Sequence, residues 1–435
     1  MPSSYAASVA FLYGLQRHGI KLGLETIRSL LAALDHPERR FQVLHIGGTN
    51  GKGSTAAIVA SVLASAGYRV GLYTSPHLVD FRERIRVNGA QITEAQVAEL
   101  TDALRAACEP GSIPTFFEFT TAMAFRHFAE SGVDVAVLEV GLGGRYDATN
   151  VVTPLVSCIT TVSLDHEEYL GHDLASIAYE KAGIIKPLVP IVTGSLPAEA
   201  VQVVELMAKE QQAALFQSGK DYSIVGDHPG DCRFSGRRWT FTGLSCPLQG
   251  AHQLDNLGCA LMMTELAAER GVTILEQAVR DGVRRVEWEG RLETVERKPT
   301  LLLDGAHNPA AAEALSAYLR QVRTGPGHSD RSVIFLIGMM RDKDHLGFLR
   351  AVLPLADHVV LTQARMARSA PVDSLRAAIP LGGPPVHVEP AVADALALAR
   401  RLARPSDVIC VTGSLMIIGE VKALLRGAAL SPLRG

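Results

Sequence analysis

Residues 47–54, with the sequence GGTNGKGS, combine glycines, a lysine and a hydroxyl group in an order that suits phosphate binding. Glycines permit a tight turn whose backbone N–H groups face the phosphates, and a helix that begins there adds partial positive charge. The match to the common P-loop is irregular, because Ile46 stands where the first glycine would be and Gly53 follows the lysine. Ser54 would then ligate magnesium, and the alternative is that Ser54 only caps the helix. The residues predicted to contact nucleotide phosphates are Asn50, Gly51, Lys52, Gly53 and Ser54.

A magnesium ion on phosphates also needs carboxylate ligands, and Glu139 is suitably placed in the apolar run DVAVLEVG at 134–141. The carboxyl ends of parallel strands meet at one edge of a sheet, so Glu139 is expected near the loop at 47–54. A glutamate in a buried strand is costly unless it is paired or binds metal. The run therefore favours a metal ligand over a purely structural glutamate.

Two further polar segments follow apolar runs in the same way, TSPH at 74–77 and the pair Asp165 and His166. By position alone, His166 could be a turn residue or a hydrogen-bonded core histidine. Magnesium prefers oxygen ligands, which argues against an imidazole. These residues by themselves leave the role of both segments open.

The elements that must position these residues alternate a short apolar run, a glycine-containing turn and a helical period. This pattern is typical of a parallel sheet covered by helices on both faces. Strands are predicted at 42–46, 70–73, 133–140, 156–162 and 190–193, and an amphipathic helix at 54–66. Residues 222–244 break the pattern and predict a small antiparallel hairpin region. Two helices are expected after it, at about 255–269 and 274–286.

A second series of strands is predicted at 300–303, 333–337, 358–361, 386–388 and 408–411. It follows a charged stretch at 290–298 and indicates a smaller, Rossmann-like α/β domain. We therefore predict an α/β protein with an N-terminal P-loop domain at 1–291 and a C-terminal domain at 292–435.

Composition limits the partners. Of 435 residues, 47% are hydrophobic and the formal net charge is only -3, without a basic run, so neither nucleic acid nor an anionic membrane is expected as a partner. No basic residue precedes the first apolar stretch, and the longest uncharged stretch, 148–164, contains many polar residues. Neither a signal peptide nor a membrane span is therefore expected, and we expect a cytoplasmic protein that binds small molecules.

Six cysteines form no Cys-x-x-Cys pair, so we expect buried thiols in place of a zinc site or a disulfide framework.

Taken in order along nearly the whole chain, the motifs resemble those of the Mur ligase superfamily and, within it, the dihydrofolate synthase/folylpolyglutamate synthase family. The matching blocks include HIGGTNGKGS at 45–54, YTSPHL at 73–78, TFFEFTTA at 115–122, LEVGLGGRYDATN at 138–150, SLDHEEYLG at 163–171, YEKAGIIKP at 179–187, HQLDN at 252–256, GRLE at 290–293 and LDGAHNP at 303–309. Several blocks in one order are more specific than any single block. The resemblance implies a P-loop domain of the Mur ligase central type and a C-terminal domain of the glutamate-ligase type.

The resemblance also implies a set of cation and nucleotide contacts. Two magnesium ions would bridge the ATP phosphates, with Ser54, Ser75, Glu139, His166 and a carbamylated Lys181 as ligands, and K⁺ stays open as a further cation. From the sequence alone, Lys181 could instead be a cation at a helix end closed by Gly183. ATP would contact both domains through Asn256, Arg291, Asp304 and His307, and catalytic roles would fall to Lys52, Lys181 and His307. The alternative for Asp304 is to cap the helix that starts at Pro309.

The same resemblance implies a pterin site. Positions that contact the pterin in bacterial members match Thr115, Phe116, Phe117, Glu118, Tyr146, Asp147 and Ala148. Aromatic faces suit a flat heterocycle, although core packing is the alternative for Phe116 and Phe117. Two residues depart from the family pattern, since Tyr146 stands where many relatives have leucine and Glu289 where a proline is common.

The implied reaction begins when ATP phosphorylates a carboxylate of dihydropteroate or of a reduced folate. The amino group of L-glutamate then attacks the acyl phosphate, in a protein expected to be a monomer. Three alternatives stay open at this point: a P-loop kinase, a sensor that closes on ATP without chemistry, and a ligase that only extends folate polyglutamates or only makes dihydrofolate.

Overall fold

The computed structural model describes residues 3–19, 23–109, 111, 113–324 and 331–431. The chain divides into two compact units. Unit 1 comprises Met1–Pro76, Phe81–Pro247 and Gln253–Glu287, and unit 2 comprises His77–Asp80, Leu248–His252 and Trp288–Gly435. The assignment of domains to 1–291 and 292–435 stays a prediction.

The main sheet of unit 1 contains eight strands among the described residues. They are β1 (Gln42–Gly47), β2 (Val70–Tyr73), β3 (Ile85–Val87), β4 (Ala90–Gln91), β5 (Val135–Glu139), β6 (Val156–Ile159), β7 (Ile191–Thr193) and β8 (Leu215–Gln217). Their order is β4-β3-β2-β5-β1-β6-β7-β8, in which the pairs β2–β3 and β3–β4 are antiparallel and all other pairs are parallel. The predicted, mostly parallel sheet is confirmed. Its central strands are continuous apolar runs because both faces are covered.

The helices of unit 1 are α1 (Tyr5–Gly14), α2 (Glu25–Ala33), α3 (Lys52–Ser65), α4 (Glu94–Ala107), α5 (Phe116–Glu130), α6 (Glu167–Leu170), α7 (Leu174–Ala182), α8 (Ala198–Glu210), α9 (His252–Glu269, whose first residue belongs to unit 2) and α10 (Glu276–Arg285). Capping boxes start α4 at Thr93 and α5 at Thr115, where a side chain three residues later closes each box. Helix α5 supplies Phe119, Phe125 and Phe128 to a core cluster of this unit. Strands β1, β2 and β5 contribute residues to the same cluster, so α5 packs against the sheet that carries the loop at 47–54.

A separate antiparallel sheet completes unit 1. It consists of β9 (Ser223–His228), β10 (Asp231–Ser235) and β11 (Thr240–Leu244), in the order β11-β10-β9. The Phe234 ring lies 6.2 Å from the Tyr222 ring and 6.5 Å from the Phe241 ring, so aromatic packing holds the small sheet together. Glu265 of α9 accepts the Trp239 N–H at 3.2 Å and ties the β10–β11 turn to that helix. The predicted hairpin region is confirmed.

Unit 2 is a second α/β unit. Its strands are β12 (Glu293–Arg297), β13 (Thr300–Leu303), β14 (Val333–Ile337), β15 (His358–Leu361), β16 (Val386–Val388) and β17 (Val408–Thr412), and its other helices are α11 (Pro309–Thr324), α12 (His345–Val352), α13 (Val372–Ala377), α14 (Val392–Leu402) and α15 (Leu415–Arg426). The strand order is β12-β13-β17-β14-β15-β16, with only β12 antiparallel among the described strands. Leu78 and Val79 join the core of unit 2 from far upstream in the chain. The predicted second strand series is confirmed.

Over the described ranges, we find no helix with the length and hydropathy that a membrane crossing requires. All six cysteines are free thiols, and five of them are buried.

Candidate nucleotide and metal site

The glycine-rich loop joins β1, which ends at Gly47, to α3, which begins at Lys52. Gly48 has a φ of +136° and Gly51 a φ of +87°, conformations that favour glycine. A Cβ on Gly48 would collide with the Thr160 hydroxyl, and a Cβ on Gly51 would collide with the Asn256 amide. Both glycines are therefore required by backbone conformation and by space.

Two threonines after β6 hold this loop in place. The Thr160 hydroxyl donates to the Asn50 carbonyl at 2.6 Å, and the Asn50 N–H donates to the Thr161 hydroxyl at 2.9 Å. The Thr49 N–H donates to the Thr161 carbonyl at 2.8 Å. The strand predicted at 156–162 consequently ends at Ile159, because the next residues turn their polar groups towards the loop.

Two lysine side chains converge on the Gly48 carbonyl. Lys52 Nζ donates to the carbonyls of Gly48 and Thr49, each at 3.0 Å, and Lys181 Nζ donates to the Gly48 carbonyl at 3.2 Å. Lys181 is only 3% exposed, and its burial together with the charge of Lys52 lowers its pKa to about 7, against an opposing effect of Asp165. Lys181 lies in the last turn of α7, which Gly183 caps, as the helix-end alternative requires, and its ammonium group also reaches the glycine loop. A buried amine with a lowered pKa can be neutral, which is the form that takes up carbon dioxide.

Ser54 lies inside α3 and is buried. Its hydroxyl oxygen accepts from Gln253 Nε2 at 3.3 Å, and Gln253 Oε1 accepts from Asn256 Nδ2 at 2.9 Å. The alternative of a capping serine is wrong, because Gly51 occupies the N-cap and no side chain caps the helix. These amide contacts bring Asn256 of α9 beside the first turn of α3.

Glu139 and Ser75 meet at the same edge of the sheet. Glu139 pairs with Ile46 in the register of β5 against β1, next to the start of the glycine loop. The Ser75 N–H donates to Glu139 Oε2 at 2.9 Å, and Glu139 is buried. The predicted approach of this carboxylate to the loop therefore follows from strand register.

His166 is the N-cap residue of the short helix α6 and has a left-handed backbone, at a φ of +52°. Its N–H donates to Asp165 Oδ1 at 2.9 Å, and its imidazole is about one-third exposed. The alternative of a core histidine is therefore wrong, whereas a turn position is what the backbone shows.

The donor atoms can be tested against a magnesium ion. Within the part of the chain that the structure describes, no group of three or more His, Cys, Asp or Glu side chains could hold a metal ion. The predicted set offers instead a buried carboxylate, Glu139, and a buried hydroxyl, Ser54. Such a partial oxygen set fits magnesium, which keeps water molecules and substrate phosphates as its remaining ligands.

The residues predicted for the pterin differ in how they are held. The polar groups of Thr115 and Glu118 form the cap of α5. The Thr115 N–H donates to Glu118 Oε2 at 2.7 Å, and the Glu118 N–H donates to the Thr115 hydroxyl oxygen at 3.2 Å. The ring of Phe116 stacks on that of Tyr13, with 5.5 Å between the centroids, and belongs to the core cluster. Phe116 therefore packs in the core, as the alternative to a pterin contact predicted. Phe117 is only partly buried and packs at the edge of that cluster.

Asp147 organises the loop after β5. Its carboxylate accepts the N–H groups of Gly141 and Leu142 at 2.9 and 3.0 Å, and the Thr149 hydroxyl at 2.5 Å. Since the Thr149 hydroxyl donates to Asp147, it accepts from His45 Nε2 at 2.8 Å. Ala148 is buried in this loop, and Tyr146 is 38% exposed.

The buried His45 predicts a pH dependence of stability. Burial, aided by the charge of Lys186, lowers the pKa of His45 to about 3. The unfolded chain binds a proton near pH 6.5 and the folded chain does not, so stability is full above that pH and falls as the pH drops towards 3. Between about pH 6.5 and about pH 4.5, the wild type should lose about 2 kcal/mol more unfolding free energy than His45→Gln.

Urea unfolding at both pH values measures this difference. His172→Gln serves as the matched control, because the His172 side chain is 83% exposed. Equal losses in the wild type and in His45→Gln would show that His45 does not cause the acid sensitivity.

Unit 2 contains three residues that were predicted to contact the nucleotide, Arg291, Asp304 and His307. It also contains His252, which was not predicted as a site residue. Asp304 accepts the N–H groups of Leu292 and Ala306 at 2.9 and 3.0 Å. Burial and the charge of Arg291 lower the pKa of His252, whereas the Asp304 carboxylate raises it, so the three side chains share one electrostatic environment. His307 lies three residues after Asp304, with Nδ1 2.8 Å from the Gly305 carbonyl oxygen.

The capping alternative for Asp304 is wrong. The N-terminal turn of α11 is satisfied by Asn308, whose Oδ1 accepts the Ala311 N–H at 2.9 Å. The carboxylate of Asp304 instead fixes the backbone after Arg291.

Glu289, the second departure from the family pattern, has a clear structural partner. The buried Lys422 ammonium lies 3.1 Å from Glu289 Oε2 and 2.6 Å from Glu293 Oε1. The Glu293 carboxylate in turn accepts the Gly290 N–H at 2.7 Å. This ion pair network fixes the backbone on both sides of Arg291.

Comparison with known proteins places the chain. Models of the Mur ligase middle domain and of the Mur ligase, glutamate ligase domain match residues 46–264 and 290–415. The dihydrofolate synthase/folylpolyglutamate synthase of Bacillus subtilis (strain 168) is 34% identical, over 98% of this chain and 100% of that protein. The chain belongs to the dihydrofolate synthase/folylpolyglutamate synthase family of Mur ligases.

Solved structures of the family agree with the fold. Escherichia coli FolC in complex with DHPP and ADP is 33% identical, has a TM-score of 0.88 and matches 98% of each chain. The bifunctional folylpolyglutamate synthase/dihydrofolate synthase of Yersinia pestis, complexed with AMPPNP and a Mn ion, is 32% identical, has a TM-score of 0.86 and also matches 98% of each chain. The α/β fold with two parallel-sheet units is thus that of the family.

Several residues of the site were missed by sequence reasoning. Thr160 and Thr161 fix the glycine loop, Gln253 contacts Ser54, and Arg84 is buried with its guanidinium 5.1 Å from the Phe116 ring centroid. The adjacent threonines after an apolar strand were the available signal for the first two. Nothing in the local pattern of Arg84 distinguishes it from its neighbours Arg82 and Arg86.

Proposed function

We propose that this protein joins L-glutamate to dihydropteroate, and to the γ-carboxyl group of reduced folates, at the expense of ATP. It is an ATP-dependent amide ligase that works through an acyl phosphate. The observation that carries this function is the convergence of Lys52 and the buried Lys181 on Gly48 of a glycine-rich loop, in a member of this family.

Each residue has a part in the first half of the reaction. The backbone N–H groups of the loop and the N-terminus of α3 bind the phosphates. Lys52 neutralises the phosphoryl group as it moves to the acceptor carboxylate. Bound magnesium, held by Ser54, Ser75, Glu139, His166 and carbamylated Lys181, would supply further positive charge there. K⁺ stays an additional cation of the proposal.

In the second half, the glutamate amine attacks the acyl carbon and phosphate leaves, which forms the amide. Nucleotide contacts are assigned to Asn256, Arg291, Asp304 and His307, with His307 also catalytic. The pterin contacts are assigned to Thr115, Phe116, Phe117, Glu118, Tyr146, Asp147 and Ala148. We further propose that the protein acts as a monomer in the cytoplasm.

The direct test is glutamate-dependent phosphate release by the purified protein, with ATP and either dihydropteroate or tetrahydrofolate as the acceptor. We expect phosphate and an amide product with both acceptors. Product with tetrahydrofolate alone identifies a ligase that only extends polyglutamates. Phosphate release that ignores glutamate would point to a kinase or an ATPase and reject the proposal.

Carbamylation of Lys181 has a readout of its own. With ¹³C-labelled bicarbonate, we expect one carbamate signal in the NMR spectrum of the wild type and none in Lys181→Met, because the buried amine beside Lys52 can be neutral. Lys186→Met is the matched control, since burial also lowers the pKa of Lys186, to about 8. Loss of the signal in the control instead of in Lys181→Met would contradict the assignment.

A further inference from the structure

Lys422 binds both ends of the short turn that carries Arg291. Its ammonium group is only 3% exposed, lies 3.1 Å from Glu289 Oε2 and donates to both carboxylate oxygens of Glu293, at 2.6 and 2.7 Å. A lysine this deeply buried needs such carboxylates, because an unpaired buried charge is costly. One buried cation thus joins residues 289 and 293, and we call residues 290–292 between them the arginine turn.

The arginine turn has a backbone that needs support. Gly290 has a φ of +70°, and Leu292 has a φ of +47°, a conformation that residues other than glycine rarely adopt. The Gly290 N–H donates to Glu293 Oε2 at 2.7 Å, and the Leu292 N–H donates to Asp304 Oδ2 at 2.9 Å. The first of these hydrogen bonds ends on the carboxylate that Lys422 binds, so the shape of the turn depends on that pairing.

The place of the Arg291 side chain depends on this turn. Its Nη1 donates to the Gly290 carbonyl at 3.1 Å, and a Cβ on Gly305 would lie 2.2 Å from the same nitrogen. The guanidinium group therefore packs directly on the Gly305 backbone, whose N–H donates to the Gly290 carbonyl at 2.9 Å. Arg291 can keep this position only while Gly290 keeps its own.

The cation that holds the turn belongs to a packed helix. Lys422 lies in α15, which also supplies Ile418 and Val421 to the core of unit 2. Side chains on a packed helix are placed more precisely than side chains on a loop. An arginine whose backbone is already fixed loses less conformational freedom when it binds a ligand. The pairing with Lys422 should therefore favour any ligand that Arg291 contacts.

We propose that Lys422 is a positioning residue for nucleotide binding, which acts through Glu289 and Glu293 to keep Arg291 in place for ATP. The inference rests on the proposed function, in which Arg291 contacts the nucleotide. In this role Lys422 affects ATP only through Arg291. Loss of the pairing should weaken nucleotide binding, while kcat at saturating ATP should stay within about 2-fold of the wild type.

The test measures Kd for AMPPNP, with Mg²⁺ present, by isothermal titration calorimetry, which does not depend on turnover. Lys422→Met should raise Kd about 5-fold, because Arg291 must then be ordered on binding. Arg291→Gln should raise Kd about 10-fold through loss of a charge-assisted contact. In the double variant, Lys422→Met should add less than about 2-fold, because two residues that act through one contact are not additive.

Asp407→Asn is the matched control. Asp407 is also buried in unit 2, and its carboxylate lies 3.0 Å from Arg404 Nη2. It precedes β17, whereas Asp304 follows β13, so the parallel register places Asp407 at the opposite end of the sheet from the arginine turn. Asp407→Asn should lower the unfolding free energy and leave Kd for AMPPNP unchanged.

An unchanged Kd in Lys422→Met, or an equal rise with and without Arg291, would overturn the inference. Thermal unfolding shows whether each variant folds. Should Lys422→Met not fold, Glu293→Ala takes its place with the same outcomes, because it removes the acceptor of the Gly290 N–H and leaves Lys422 beside Glu289.

The same titrations separate this inference from the proposed function. A wild type that does not bind AMPPNP rejects the proposed function itself. An unchanged Kd in Arg291→Gln removes the nucleotide contact of Arg291 and the inference with it. A higher Kd in Arg291→Gln, together with an unchanged Kd in Lys422→Met, rejects only the role of Lys422.

Discussion

Lys52→Ala is expected to release phosphate at about one-thousandth of the wild-type rate, with ATP, glutamate and either acceptor present. Lys52 is the first residue of α3, and its ammonium group is held by the carbonyls of Gly48 and Thr49 at the centre of the loop. In that position it can neutralise a phosphoryl group in transit, which is the main contribution that a protein makes to phosphoryl transfer.

The measurement is the initial rate of glutamate-dependent phosphate release. Lys220→Ala is the control, because Lys220 is an exposed lysine of the same unit, 3.7 Å from Glu205. A Lys52→Ala rate within tenfold of the wild type would remove the phosphate assignment of the loop.

Glu139→Gln should lower the same rate by a factor of about 100 to 1,000 and should weaken Mn²⁺ binding to the enzyme–nucleotide complex. The substitution removes one negative charge but keeps an oxygen that can accept the Ser75 N–H. The sheet edge should therefore stay intact while the metal loses a charged ligand.

Mn²⁺ binding is followed by electron paramagnetic resonance, which does not depend on turnover. Glu130→Gln, an exposed acid at the end of α5, is the control. Unchanged Mn²⁺ affinity in Glu139→Gln would mean that the buried carboxylate serves the fold alone.

Much of the fold was predictable because buried parallel strands are continuous apolar runs. The strands at 70–73, 300–303, 333–337, 358–361 and 386–388 were predicted with the bounds that the structure shows. Strand order was not predictable, because the pairing of β1 with β5 and β6 depends on long-range packing. Helices α1, α2, α4 and α5 were not predicted. For α5, the capping box at Thr115 was visible in the sequence.

The site likewise contains residues that were predictable from the sequence and contacts that were not. Residues in the glycine loop were predictable because their spacing alone indicates phosphate binding. The contact between Ser54 and Gln253 and the anchoring of Asn50 by Thr160 join residues far apart in sequence, and only the folded sheet edge brings them together. The roles of His166 and Lys181 could not be derived from local pattern, since turns and helix ends use the same residue types.

Leu78 and Val79 complete the core of unit 2 from a segment that lies within the sequence of unit 1. A ribosome would therefore release this segment long before the strands on which it packs, and the core of unit 2 stays open until synthesis is almost finished. A fragment that begins at 288 would lack both side chains. Unit 2 therefore cannot be cut from the gene as one uninterrupted piece, and a C-terminal half expressed alone should have an incomplete core.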